Sequence, residues 1–349
     1  MKSRESRKID HIRYALQLGD GPCATGFSDV QILHRCLPQV NRSAVSLSTH
    51  LPGIGTLPHP LLLNAMTGGA GEVKAINASL ALVARETHSA MAVGSQYGAL
   101  VQKSHTDSFR IVRKINPQGI IFANVSPLAT PEMALEAIDM IGAQGLQIHL
   151  NAAQELAMEE GDRDFSSWLD HIAAICAVSP VPVIVKETGC GMLAEDAKAL
   201  LAAGVKILDT GGAGGTNFPA IEQLRHPGAN SELSRWGIPS ALSLLEVVSV
   251  TGWQEGVVAS GGIRTALDIV KAQVLGANMV GMAGNLLHLV QKESPQKAIQ
   301  WINNTLESVK DFYTLTGCTQ AGALQTVRYY LSGNLAAAVA ARSGRNQQD

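Results

Sequence analysis

Polar side chains recur directly after short apolar runs of this sequence, and their types are those that bind anions and move protons. Lys186 follows the apolar run at 181–185, and a histidine, two amides and a carboxylate surround another run that ends at Leu150. If the runs are parallel strands of a barrel, the groups that follow them meet at the end where active sites of that architecture lie. The residues are Asn64, Ser95, Asn124, His149, Asn151, Gln154, Glu155, Lys186, Glu187, Asp209 and Thr210.

Two glycine turns in the last third of the chain could hold a phosphate group. The segment 256–284 is predicted to run strand, glycine turn, helix, strand, glycine turn, with the turns at Gly261-Gly262 and at Gly284. Such turns present bare backbone N–H groups and helix N-termini to an anion. In a (β/α)8 barrel the turns after strands seven and eight are the usual phosphate site.

Each polar group also has a plain structural explanation. Lys186 would be costly to bury alone, so it either faces an anion such as a reduced flavin or forms an ion pair with Glu187 or another carboxylate. His149 could equally be a neutral core histidine bonded to backbone. Glu155 could bind Mg²⁺ together with substrate phosphates and water, or be an exposed carboxylate in a first helical turn.

A repeat of strand–helix units must position these groups. The pattern predicts a TIM (β/α)8 barrel, with a doubly wound open sheet as the alternative. Strands are predicted at 61–66, 90–95, 120–125, 146–151, 181–187, 207–211, 257–260 and 279–282, and the clearest helices at 72–87, 131–141, 194–203 and 265–275.

The predicted barrel has an extension at each end. Residues 1–55 are expected to form an N-terminal helical arm that contributes to the substrate site, with a helix over 6–18. Residues 56–332 are assigned to the barrel and its extra C-terminal helices, two of which are predicted at 299–317 and 319–333. Residues 333–349 are expected to be a small polar tail that frays.

A basic stripe marks the predicted N-terminal helix. Arg4, Arg7, Lys8 and His11 recur at spacings of three and four residues, which places them on one helix face. From these residues alone the stripe is explained as a solvated basic face, and the alternative is an anion-binding face.

Composition limits the class of protein. Of 349 residues 46% are hydrophobic and 16% are charged, with a formal net charge of −2, which fits one large α/β domain with a sizeable core. A near-neutral balance argues against a nucleic-acid surface. The N-terminal stretch is not signal-like, no apolar run could span a bilayer, and the five cysteines have no metal-type or disulfide-type spacing. We predict a reduced, cytoplasmic enzyme without nucleic-acid or membrane partners.

Seven short motifs, taken in order, resemble those of the type 2 isopentenyl diphosphate isomerases, which are FMN-dependent TIM barrels. No single motif is decisive, but the ordered set is specific and extends over most of the chain. The motifs are Arg7-Lys8-x-x-His11, Thr25-Gly26-Phe27, Ala65-Met66-Thr67-Gly68-Gly69, His149-Leu150-Asn151-x-x-Gln154-Glu155, Lys186-Glu187, Thr210-Gly211-Gly212-x-Gly214-Gly215-Thr216 and Trp236-Gly237-Ile238-Pro239.

The resemblance implies roles for individual residues. It implies catalytic roles for His149 and Gln154, and a Mg²⁺ ligand at Glu155. It implies substrate contacts from Arg7, Lys8, His11, Ser95, Asn151 and Gln154. It implies FMN contacts from Ala65, Met66, Thr67, Ser95, Asn124, Lys186, Thr216, Gly262, Ile263, Arg264, Ala283 and Gly284. Tyr97 stands where many members carry an arginine, so no charged diphosphate contact is carried over to it.

The implied reaction interconverts isopentenyl diphosphate and dimethylallyl diphosphate by a 1,3-allylic proton shift. In that family reduced FMN acts as acid and base, NADPH is the reductant and Mg²⁺ binds the diphosphate. The resemblance also implies a homo-oligomer, either a tetramer or an octamer.

Three other interpretations compete with this one. FMN-dependent 2-hydroxy acid oxidases share a segment similar to 260–277, but they need a histidine in the turn after strand six. An IMP dehydrogenase-like enzyme needs a cysteine there, and the turn at 209–218 contains neither residue. A catalytically idle flavin- or phosphate-binding protein is opposed by the expected position of Lys186, Gln154 and Glu155 at one barrel rim.

Overall fold

The described part of the chain comprises residues 4–66, 69, 71, 73–226, 228–252 and 256–345 of a computed structural model, with side chains described from residue 8 to residue 342. The strands are β1 Val30–Ile32, β2 Thr49–Leu51, β3 Gly55–Leu57, β4 Leu61–Leu63, β5 Ala90–Ala92, β6 Ile121–Val125, β7 Gly145–Leu150, β8 Val183–Glu187, β9 Ile207–Asp209, β10 Gly256–Ser260, β11 Met279–Met282 and β12 Tyr329–Leu331.

Helices follow most of the strands. The helices are α1 Arg4–Leu18, α2 Val73–Thr87, α3 Tyr97–Gln102, α4 Asp107–Ile115, α5 Pro131–Ile141, α6 Ala152–Ala157, α7 Trp168–Val178, α8 Ala194–Ala202, α9 Phe218–Arg225, α10 Ser240–Thr251, α11 Ala266–Val274, α12 Gly284–His288, α13 Pro295–Thr316 and α14 Gly333–Arg345. No helix among the described residues is long and apolar enough to cross a membrane.

Strands β4 to β11 form a closed parallel barrel. Each pairs with the next in chain order, and β11 returns to pair with β4, with Gly281 opposite Leu62. The predicted (β/α)8 barrel is therefore confirmed, and the open sheet is excluded because neither β4 nor β11 has a free edge. Several observed strands are shorter than predicted because pairing ends before the polar residues that face the barrel mouth.

The apolar core lies in two layers. The larger layer fills the space between the barrel and its surrounding helices. The smaller one lies inside the barrel, where Leu51 and Leu57 of the β2–β3 hairpin contact Leu62, Phe122 and Ile184. The hairpin therefore closes the N-terminal end of the barrel with apolar side chains, and polar chemistry is left to the C-terminal end.

The arm and the C-terminal region pair with each other. Strand β1 lies antiparallel to β12, with Val30 opposite Leu331. The helix predicted at 319–333 is wrong: that segment forms a short 3-10 turn, Ala321–Thr326, and then β12. The aromatic pair in Tyr329–Leu331 favours a strand once a partner strand is present, and this long-range pairing overrides local helix preference.

The expected fraying tail is also wrong over most of its length. The segment from Gly333 to Arg345 is helix α14. Its Leu335 is buried, and the Leu335 backbone N–H donates to an Asp29 carboxylate oxygen at 3.1 Å. Arg342 donates hydrogen bonds to the carboxylates of Glu246 and Glu195. A buried leucine and a paired arginine hold this helix against the barrel layer.

Candidate active site

One cavity of about 1180 Å³ opens at the C-terminal end of the barrel. It is lined by residues that follow all eight barrel strands and by residues of α1. The lining includes Lys8, His11, Ala65, Met66, Ser95, Asn124, His149, Asn151, Gln154, Glu155, Lys186, Thr216, Gly262, Ile263, Arg264, Ala283 and Gly284. The structure thus brings together the site residues expected from the sequence, except for Thr67 and the side chain of Arg7, which lie outside the described residues.

The glycine turns after β9 and β10 pack backbone against backbone. Gly262 has a φ of +72°, and a Cβ on it would overlap the carbonyl of Gly214. Arg264 donates to that same Gly214 carbonyl at 2.9 Å and also to the carbonyl of Gly262, and it forms an ion pair with Asp20. The two turns therefore meet with no room for a side chain on Gly262. With the turn at Gly284 after β11, which also lines the cavity, they form a group of glycine turns that we call the phosphate cradle, because such turns can offer backbone N–H groups to an anion.

Lys186 forms an ion pair with a buried carboxylate, one of the two alternatives left open by the sequence. Its Nζ lies 3.5 Å from the Oδ2 of Asp209, a fully buried carboxylate, so the ion pair exists, although the partner is not Glu187. The ammonium also donates to the Ser260 hydroxyl at 3.2 Å and lines the cavity. A lysine held in this way keeps a buried positive charge at the cavity floor.

Glu187 has a different role from its neighbour. Its Oε2 accepts hydrogen bonds from the backbone N–H groups of Gly189, Cys190 and Gly191. Burial raises the pKa of Glu187 to about 7, although these bonds and the charge of Lys186 oppose the rise. The side chain therefore shapes the turn after β8, which contributes Gly189 to the cavity wall.

His149 is a neutral imidazole at neutral pH. Burial lowers its pKa to about 4, the positive charges of Lys186 and Lys8 act in the same direction, and a hydrogen bond to the Val125 carbonyl opposes them. Its Nδ1 lies 2.9 Å from the side-chain oxygen of Asn124. The neutral ring therefore carries one N–H donor and one bare nitrogen acceptor.

The depressed pKa of His149 predicts a loss of stability in acid. An unfolded histidine binds a proton near pH 6.5, whereas folded His149 resists protonation until about pH 4. Its stabilising contribution is therefore complete above pH 6.5 and is lost as the pH falls toward 4. Between pH 6.5 and pH 4 we therefore expect the free energy of unfolding of the wild type to fall by on the order of 2 kcal/mol more than that of His149→Gln. Urea unfolding at several pH values checks this, and parallel pH profiles would contradict it.

The segment after β7 forms another wall of the cavity. Asn151 donates to the Oε1 of Gln154 at 3.3 Å and to the Oε1 of Glu155 at 2.9 Å. The other oxygen of Glu155 accepts the backbone N–H of Asp162 at 3.0 Å. No group of three or more possible metal ligands occurs within the described residues, so a cation at Glu155 would need substrate oxygens and water to complete its coordination.

Glu222 is a buried residue of the site that the sequence did not single out. This carboxylate is fully buried on α9 and accepts hydrogen bonds from His11 Nε2 at 2.6 Å and from Gln154 Nε2 at 3.2 Å. It also forms an ion pair with Arg225. The available signal was a glutamate beside Ile221 on the buried face of a helix, with an arginine three residues later, but no motif marks it.

The basic stripe of α1 faces the cavity through two of its members. Lys8 donates from Nζ to the carbonyl of Ser95 at 3.2 Å and lies 5.9 Å from the centre of the Phe109 ring. His11 also lines the cavity and contacts the buried carboxylate of Glu222. Tyr97 also lines the cavity, as the first residue of α3.

Comparison with known proteins identifies the family. The family model described as FMN-dependent dehydrogenase matches residues 101–329. The chain is 44% identical over 330 residues to an isopentenyl-diphosphate delta-isomerase of Moorella thermoacetica, covering 95% of this chain and 94% of the relative. It is 45% identical over 333 residues to an enzyme of the same name from a Geobacillus species, covering 95% of each.

Among solved structures, the barrel resembles mandelate oxidase. One such structure superposes with a TM-score of 0.67 at 15% identity, covering 95% of this chain and 100% of the other. At this level of identity the similarity shows the fold alone. The two isomerases are far more similar in sequence, and the turn after β9 lacks the histidine that the oxidase interpretation requires. The chain belongs to the isopentenyl-diphosphate delta-isomerases, in their flavin-dependent type 2 form.

Proposed function

We propose that this chain interconverts isopentenyl diphosphate and dimethylallyl diphosphate by a 1,3-allylic proton shift, with reduced FMN as the acid and base. One observation carries the proposal. The phosphate cradle after β9, β10 and β11 opens into the same cavity as Lys8 and His11 of α1 and the amides after β7. A flavin and a second, anionic molecule can therefore face each other there.

The cavity suits FMN in shape and charge. The cradle would hold the phosphate through Thr216, Gly262 and Gly284, which all line the cavity, because glycine turns offer backbone N–H groups to an anion without side-chain bulk. Lys186, whose charge is fixed by Asp209, would lie against the edge of the flavin ring that becomes negative on reduction. The remaining contacts that we assign to FMN are Ala65, Met66, Thr67, Ser95, Asn124, Ile263, Arg264 and Ala283.

A flavin would supply chemistry that the described side chains of the cavity do not offer. An isolated alkene is a very weak base, and a side chain of ordinary pKa protonates it poorly. When bound and reduced, FMN would supply the group that adds a proton at one carbon and removes one at the other. His149, kept neutral by burial, would hold a hydrogen bond beside that group without becoming a competing acid.

The substrate would lie between the cradle and α1. Lys8, His11 and the arginine at position 7 would bind the diphosphate by charge-assisted hydrogen bonds. Ile12 and Phe218 contribute apolar surface to the lining and would exclude water from the five-carbon unit. Gln154 would be oriented toward the substrate by Glu222, which accepts a hydrogen bond from its amide nitrogen.

Glu155 is our candidate Mg²⁺ ligand. Glu155→Gln keeps the size of the side chain but removes its charge, so we expect a higher Mg²⁺ requirement and weaker diphosphate binding with an unchanged flavin spectrum. The matched control is Glu159→Gln on the cavity rim, whose carboxylate is 83% exposed. Overlapping Mg²⁺ titrations for the two variants would remove Glu155 from the site.

The stoichiometry of reductant tests the proposed reaction. Moving a double bond within one molecule changes no net oxidation state, so NADPH should prime the flavin once and then support many turnovers. Under strict anaerobiosis we expect dimethylallyl diphosphate far in excess of NADPH consumed, and solvent deuterium in the product formed in deuterium oxide. Consumption of one NADPH per product would instead identify a hydride-transfer enzyme.

A further inference from the structure

A continuous chain of hydrogen bonds crosses the barrel interior beside the cavity, from Asp209 to His149. Asn64 donates from Nδ2 to Asp209 Oδ2 at 2.6 Å, and Gln147 donates from Nε2 to Asn64 Oδ1 at 3.0 Å. Asn124 then donates from Nδ2 to Gln147 Oε1 at 3.1 Å. The remaining oxygen of Asn124 meets His149 Nδ1 at 2.9 Å.

The side chains that form this hydrogen-bond relay are buried away from bulk water. Asp209 and Gln147 are 0% exposed, Asn124 is 2% exposed and Asn64 is 3% exposed. Asn124 and Gln147 are also direct partners in the register of β6 and β7. An unsatisfied buried polar group is costly. Each amide must therefore place its NH₂ group against an acceptor and its oxygen against a donor.

The charge of Asp209 sets which group donates and which accepts in every hydrogen bond of this relay. Lys186 lies 3.5 Å from the Oδ2 of this carboxylate, and Ser260 donates its hydroxyl to the Oδ1. An ionised carboxylate can only accept, so Asn64 must present its NH₂ group to Asp209 and its oxygen to Gln147. The backbone N–H of Ala65 donates to that same oxygen at 2.9 Å and fixes the orientation independently.

The orientation of Asn64 in turn fixes the orientations of two more amides, which end at the histidine. Gln147 must give its NH₂ group to Asn64 and its oxygen to Asn124. Asn124 must then give its NH₂ group to Gln147 and its oxygen to His149. A carbonyl oxygen can only accept, so the Nδ1 of His149 must carry a hydrogen, and a neutral ring is left with a bare Nε2.

We propose that Asp209, acting through Asn64, Gln147 and Asn124, fixes His149 as the Nδ1–H tautomer, with Nε2 as its acceptor atom. Asp209 and Gln147 are thus positioning residues: Gln147 lies on β7, two residues before the histidine that it orients, and Asp209 lies on β9, two strands away. The ring lines the cavity, so a donor bound there can be held by Nε2, whereas an acceptor cannot. The Val125 carbonyl, which also bonds the ring, can likewise only accept, so it offers His149 no donor that would reverse this assignment. The consequence of the tautomer for turnover rests on the proposed isomerase activity.

Histidine labelled with ¹⁵N at Nδ1 tests the assignment directly in the FMN-loaded protein. The signal of His149 is identified by its loss in His149→Gln, and in the wild type we expect it in the range of a protonated ring nitrogen. Gln147→Met keeps the shape of the side chain but breaks the relay, so a second signal from bare Nδ1 should appear. Asp209→Asn, which removes the charge at the end of the relay, should produce the same second signal.

Gln96→Met is the matched control. Gln96 is also 0% exposed, but it accepts from the backbone N–H of Asn124 and donates to the carbonyl of Ala137, outside the relay. We expect its His149 signal to match that of the wild type. A bare Nδ1 in the wild type, or an unchanged signal in Gln147→Met, would overturn the proposal, whether or not Asp209→Asn folds.

Turnover gives a second measurement. Loss of one neutral hydrogen bond in the relay should lower kcat of Gln147→Met about fivefold, with KM for isopentenyl diphosphate nearly unchanged. If the ¹⁵N signals respond as expected but no isomerisation occurs in any variant or in the wild type, the proposed function fails and the tautomer assignment stands.

Discussion

Gly284→Asp is expected to lose FMN while the barrel stays folded. Gly284 begins α12 directly after the β11 turn, and a Cβ there would meet only the Thr216 hydroxyl, at 3.2 Å. The added carboxylate would therefore lie in the phosphate cradle without straining the backbone. Because opposed like charges cost several kcal/mol, we expect the Kd for FMN to rise roughly a hundredfold or more.

Gly284→Asn separates charge from size. Asparagine has nearly the same volume as aspartate but no charge, so it should weaken FMN binding far less. Flavin fluorescence titrations give the two affinities, and thermal unfolding followed by circular dichroism checks the fold. If the Asp and Asn variants bind FMN equally well, the cradle does not hold the phosphate.

Gly262 looks like the natural choice for this test from the sequence, but it is a poorer one. Its φ lies in the left-handed region, and a Cβ would overlap the Gly214 carbonyl and approach Thr25 of the arm. A substitution there would move two turns and the arm, so lost flavin binding would report packing as well as charge. Sequence identifies a glycine turn, whereas only the structure shows which of its glycines has room for a side chain.

The barrel could be predicted because its signal is local. Each buried strand is a short apolar run, such as Leu61–Leu63 or the valines of Val183–Glu187, and each is followed by polar or glycine residues. Eight such units in one chain favour a parallel sheet that closes into a barrel. Helix α5 was predicted with its observed ends because Thr130 caps it and Gly142 ends it in the left-handed conformation.

The ends of the chain could not be predicted in the same way. Strand β12 exists because Val30, about three hundred positions earlier, pairs with Leu331. Helix α14 is held by ion pairs from Arg342 to Glu195 and Glu246. Such long-range partners leave no periodic signal in the segment itself, so local propensity gave the wrong element in both places.

The residues of the candidate site likewise fall into those that a local motif marks and those that only long-range contacts reveal. The residues near its mouth were found because they belong to ordered motifs that resemble a known family. Glu222 and Gln147 belong to no such motif, and their importance lies in which amides and imidazoles they contact. The partner of Lys186 was likewise open, since Asp209 is adjacent only in the register of β8 and β9.

Lys8→Ala is expected to weaken substrate binding with little effect on the flavin. The Lys8 ammonium lies at the cavity wall beside Ser95, on the α1 side of the site. The turns that we propose to hold the FMN phosphate follow β9, β10 and β11. A lost charge-assisted hydrogen bond costs about 1.5–3 kcal/mol, so kcat/KM for isopentenyl diphosphate should fall by roughly one to two decades, mainly through KM.

Arg13→Ala on the same helix is the matched control. Arg13 is 62% exposed and pairs with Asp10 and Tyr14 outside the cavity lining. Both changes remove one positive charge from α1 and leave a good helix former, so they differ chiefly in whether the charge faces the cavity. We expect Arg13→Ala to keep wild-type kinetics and Lys8→Arg to recover part of the lost KM. Identical kinetics for Lys8→Ala and Arg13→Ala would mean that Lys8 does not bind the diphosphate, although it faces the cavity.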